Sequence, residues 1–137
     1  MTLNDKGELA IITAWCGDPP DGVAVYRHGD KLIDQAVIRA PAALAVAPVT
    51  VSLENLPDEW SLVEGDLDFR KDQVYKVTAY SSKARVSQGG TNFTLESKEK
   101  IPSGQIMIQH HGNDDLRFGT DVFLSTTDFT EIAKHYC

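Results

Sequence analysis

Cysteine occurs only twice, at Cys16 and at Cys137, so any bridge would tie the first apolar run to the end of the chain. Basic residues never cluster beyond Arg70-Lys71, and the formal net charge is −7. That excludes the lysine- and arginine-rich surface that phosphate backbones and anionic membranes require. No apolar run reaches the length of a membrane-spanning helix. The longest nearly uncharged segment, Ala40 to Leu53, is interrupted by Pro41 and Pro48. No Gly-x-Ser-x-Gly elbow is present, and no Gly-Lys-Ser/Thr follows Gly89-Gly90. A serine-hydrolase nucleophile turn and a phosphate loop are thereby excluded. Nothing in the sequence implies a cofactor.

What is present is a globular composition of 137 residues, 42% hydrophobic and 24% charged. That is the size of one domain with a core of its own. Short β-branched and aromatic runs recur every eight to twelve residues between turn formers, the rhythm of a sandwich or barrel. The runs are Leu9–Cys16, Val23–Arg27, Leu32–Arg39, Val49–Leu53, Trp60–Val63, Val74–Tyr80, Gln105–His110 and Phe118–Leu124. Along Val74–Tyr80, Tyr75, Val77 and Ala79 alternate with Lys76, Thr78 and Tyr80, which predicts one buried and one exposed face. Ile106 and Ile108 are expected to point inward. Gly89-Gly90 is read as the turn of a hairpin between Arg85–Ser87 and Asn92–Leu95. Residues 127–136 fit a helix with Asp128 as N-cap, Glu131 three residues on, and Phe129, Ile132, Ala133 and Tyr136 on one face. Residues 1–7 are polar and are expected to be disordered or extraneous to the native chain.

Candidate chemistry is sparse. A Cys16–Cys137 bridge would close nearly the whole chain and would imply export, because disulfides persist in oxidising compartments. Read with Met1 as the native start, the same sequence predicts a cytoplasmic protein. Read as a mature region, it predicts an extracellular or envelope one. His110, His111 and Asp114 fall in the densest polar cluster and are the candidate metal ligands of a hydrolase. Adjacent strand residues point to opposite faces, however, so His110 and His111 converge only from a loop. Trp15, Trp60 and Tyr80 are the aromatic candidates for a contact face, with Asp58 and Glu59 on an acidic rim. Asn92-Phe93-Thr94 is a glycosylation sequon for a eukaryotic secretory pathway.

Leu67-x-Phe69 followed by Val74-Tyr75-Lys76-Val77-Thr78-Ala79-Tyr80-Ser81 resembles the penultimate-strand region of fibronectin type III and other immunoglobulin-like domains. The resemblance covers about fifteen residues and departs from the family where Lys71-Asp72-Gln73 replaces the Pro-Gly before the tyrosine. The arrangement of Cys, proline-rich turn, Leu-Pro-x-x-Trp and Tyr-x-Val-x-Ala is also similar to small exported bacterial proteins. The resemblance implies an all-β antiparallel sandwich, here with a short C-terminal helix, used for binding or spacing. The expected function is non-enzymatic: an exported or surface-associated domain binding a protein, a small molecule or a glycan, and not nucleic acid. The alternatives are the metal-dependent hydrolase and a cytoplasmic acidic interaction or immunity-type protein.

Overall fold

The structure, a computed structural model, describes residues 1–15, 17–42, 44, 47–83, 86–87, 90–112 and 117–135. Two antiparallel sheets face each other as a β-sandwich. One has the order β11(Thr120–Ser125)–β10(Gln105–His110)–β1(Thr2–Leu3)–β2(Leu9–Thr13)–β5(Val49–Ser52). The other runs β6(Ser61–Gly65)–β4(Leu32–Arg39)–β3(Gly22–His28)–β7(Tyr75–Ser81), with β8(Val86–Ser87) and β9(Thr91–Phe93) both on the far edge of β7. The helices are α1(Ser97–Lys100) and α2(Thr126–His135).

Alternation fills the space between the sheets. Leu9, Ile11, Val51, Leu53 and Met107 come from the first sheet; Val23, Val25, Ala36, Ile38, Tyr75, Val77 and Ala79 come from the second. Burying each Val, Leu, Ile or Met of this set contributes roughly 1.5–3 kcal/mol. The expected inward face of β7 is the observed one.

Four expectations are corrected. The first concerns residues 1–7, which contain a strand and a hydrogen-bonded turn. Met1 is 3% exposed, and its amine donates to the Met107 carbonyl at 3.1 Å. Thr2 and Leu3 form β1, and Asn4 closes the turn to β2 by accepting from the Lys6 and Glu8 amides. The cause is a local apolar alternation, Met1 and Leu3 about Thr2, too short to stand out in a polar stretch. Second, β8 and β9 are both antiparallel to β7, so they run in one direction and are not the two arms of a hairpin. Ser87 lies opposite Tyr80 and Thr91 lies opposite Val77.

Third, β10 turns Met107 into the inter-sheet core, while Ile106 is buried on the other face. Ile108 has the parity of Ile106 and lines a cleft with Phe129, Ile132 and Ala133 of α2. A strand apolar on both faces cannot report which face is the core. Fourth, the α2 cap is Ser125, whose hydroxyl accepts the Asp128 amide at 3.0 Å; Asp128 lies in the first turn, where its charge suits the helix dipole. No described residue of α2 is buried. Ser125→Ala should therefore cost about 1 kcal/mol of helix stability. Hydrogen exchange should show it as faster exchange confined to α2, and unchanged α2 protection would refute the assignment.

Candidate functional site

One end of the sandwich carries a polar cleft of about 170 Å³, lined by Arg27, Gln35, Asp66, Asp68, Arg70, Gln73 and Tyr75. Strand register places its floor. Arg27 lies opposite Tyr75 across the β3–β7 ladder, so the two side chains share a face. Val25 and Val23 occupy that same face further into the core. Arg27 thus continues an apolar row and ends it with a charge, at the mouth of the inter-sheet space.

A bulge builds one wall. Val25 pairs with Ala36 and Tyr26 with Asp34, so Gln35 is the extra residue of β4. Bulges re-aim side chains, and they are common beside sites. The Gln35 amide donates to the Asp66 carbonyl and to Asp66 Oδ1, each at 2.9 Å. The Asp66 amide returns a bond to the Gln35 carbonyl at 3.2 Å. Asp66 Oδ1 also accepts the Asp68 amide at 3.0 Å, which turns the chain into the segment 66–73. That segment is anchored by Phe69, edge-on to Tyr75 at 4.9 Å and to Phe93 at 5.4 Å. Gln73 closes the far side, donating to the His28 and Val74 carbonyls at 2.8 and 2.9 Å.

Tyr75 is 2% exposed, and its hydroxyl oxygen accepts the Arg70 amide at 2.7 Å. Among the described residues its proton has no acceptor, so it remains available to a group in the cleft. The described ion pairs are Lys83–Asp18, Lys98–Glu54 and Lys134–Glu131. None joins Arg27 or Arg70 to Asp66 or Asp68. Two cations and two carboxylates therefore line one small cleft without closing on each other.

A second cleft, of about 250 Å³, lies under α2 and is walled by Met1, Ile11, Ile12, Ile108, Leu124 and Phe129, among others. Its side-chain polar groups are the hydroxyls of Thr13 and Thr91, and Thr13 already has a partner. It offers apolar surface and little to orient a ligand.

The residues singled out from the sequence fall as follows. Trp60 is half-buried and packs against the core, with Leu56, Leu67 and Phe69 also packed on that core. Tyr80 lies on the opposite face of its sheet, its ring over Gly22, where a Cβ would come within 2.3 Å. Partial burial, then the nearby Asp21 carboxylate, hold its phenol above the ordinary value. Trp15 is half-buried beyond β2. No described ring contact joins Trp15, Trp60 and Tyr80. Asp58 and Glu59 are exposed in the turn closed by the Trp60 amide on the Pro57 carbonyl. His110 and His111 are exposed, the first against Gly112 and the second against Gly119. Among the described residues no group of three or more His, Cys, Asp or Glu is placed to hold a metal ion. Asp114, Cys16 and Cys137 lie outside the described residues.

Sequence reasoning passed over the cleft itself. The signal was there in β3: Val23, Val25 and Arg27 share one parity, which places a guanidinium in an apolar row. No known protein family, characterised protein or solved structure matches the chain.

Proposed function

We propose that the protein is a non-enzymatic binding domain whose ligand seat is the cleft over Tyr75. The observation that carries this reading is the Tyr75 hydroxyl, buried yet with its proton uncommitted among the described residues. A buried polar group without its full set of partners costs free energy, and a site that offers it one recovers that cost on binding. Gln35, Gln73 and Asp66 are already fixed by hydrogen bonds, so the walls are ordered before a ligand arrives. We attach an exported or surface-associated setting to this reading, since a Cys16–Cys137 bridge would persist only where conditions are oxidising.

The test is a panel of small polar solutes (α-amino acids, monosaccharides, inorganic phosphate, short carboxylates) titrated into the full chain and read by amide chemical shifts. Saturable shifts are expected at the Arg70 backbone amide and the Gln35 and Gln73 side-chain amides. Tyr75→Phe should weaken binding about tenfold, the worth of one hydrogen bond to a charged or strongly polar acceptor. It should also cost about 1 kcal/mol of stability, because the Arg70 amide loses its acceptor. A panel that shifts nothing in the cleft would end this reading.

A further inference from the structure

Resting on the cleft as the ligand seat, we infer that it holds a small zwitterion of the α-amino-acid class. The carboxylate lies between Arg27, Arg70 and the Tyr75 hydroxyl, and the ammonium lies against Asp68. Guanidinium groups and a phenolic O–H are donors, and a carboxylate accepts from all of them. Neither guanidinium makes an ion pair within 4.0 Å among the described residues, so both are free for a ligand.

The carboxylates define the other half. Asp66 spends Oδ1 on Gln35 and on the Asp68 amide, while the Asp68 side chain is uncommitted. A simple anion would meet both aspartates within about 170 Å³, on a chain that already carries a net charge of −7. A simple cation would meet both arginines. A molecule carrying one charge of each sign, separated by a single carbon, meets neither repulsion and matches a lining whose four charges sum to zero. Size points the same way. Pockets for drug-sized ligands run to roughly 300–1,000 Å³, and this one is smaller.

The experiment is isothermal titration and amide-shift mapping of the full chain with glycine and L-serine, beside acetate and ethylamine as the separate halves. The amino acids are expected to bind at the cleft at least tenfold more tightly than either half. Arg70→Gln should weaken both amino acid and acetate. Asp68→Asn should weaken the amino acid about tenfold and leave acetate unchanged or slightly tighter. Both side chains are exposed, so the variants should fold; unchanged circular dichroism checks this. Acetate binding at the cleft as tightly as glycine, or a monosaccharide doing so, would overturn the zwitterion while leaving the cleft as a binding site. Failure of all of these, together with phosphate, to shift Arg70 or Gln73 would overturn both.

Discussion

Lowering the pH from above 8 to below 5 is expected to cost the folded chain about 4 kcal/mol through one group, the α-amine of Met1. Burial lowers its pKa from 8.0 to about 5, because its charged form loses water and gains only the Met107 carbonyl. Between those values the unfolded chain binds the proton and the folded chain does not. Stability therefore rises with pH across the window: it is greatest above pH 8 and falls as the pH drops, levelling off below about 5. Three pKa units at about 1.4 kcal/mol each give the magnitude, an upper figure for a site whose neighbours relax. Urea denaturation at half-unit pH intervals measures it. Acetylation of the amine removes the titration and keeps one N–H for Met107, so the acetylated chain should show a shallower slope. Identical slopes for the two forms would refute the assignment.

Gly65→Ala is expected to damage stability and binding together. Gly65 has φ +74, and an added Cβ would sit 1.8 Å from the Gln35 carbonyl oxygen. The left-handed backbone alone costs a substituted residue about 1–3 kcal/mol. The clash cannot be relieved by a side-chain rotation, because it falls on backbone at the Gln35 bulge. Relief requires β6 to move from β4, which stretches the Asp66 amide from the Gln35 carbonyl and draws the Asp66 carboxylate away from its seat. Gly104 provides the control, with φ +77 and nothing within 4 Å of the added atom. Gly104→Ala should cost only the conformational share and leave the cleft unchanged. Thermal denaturation of the two variants, with a cleft ligand titrated into each, separates the effects. Equal losses in both would show that the close approach at Gln35 is unimportant.

The two cases mark how far the sequence could be read. Strand alternation at Tyr75, Val77 and Ala79 is a property of the chain alone, and it named the buried face. The amphipathic spacing from Phe129 to Ala133 likewise announced α2. Alternation failed at β10, where Ile106 and Met107 are equally apolar and only the presence of α2 on the outer face gives each a side. It failed at residues 1–7, where a two-residue strand is held by β2 on one side and β10, more than a hundred residues on, on the other. The aromatic residues marked for binding, Trp15, Trp60 and Tyr80, make no ring contact with one another among the described residues.

Composition, turn spacing and period-two patterning come from short-range physical chemistry. They determined by themselves that this chain is an acidic, antiparallel β protein with a closing helix. Which strands neighbour one another is a matter of long-range pairing, and only the tertiary structure decided it. The cleft depends on that pairing. Arg27 meets Tyr75 because β3 lies beside β7, and Asp66 meets Gln35 because β6 lies beside β4 at a bulge. Contacts between residues thirty to fifty positions apart leave no local periodicity, so the fold class was written along the chain and the site was not.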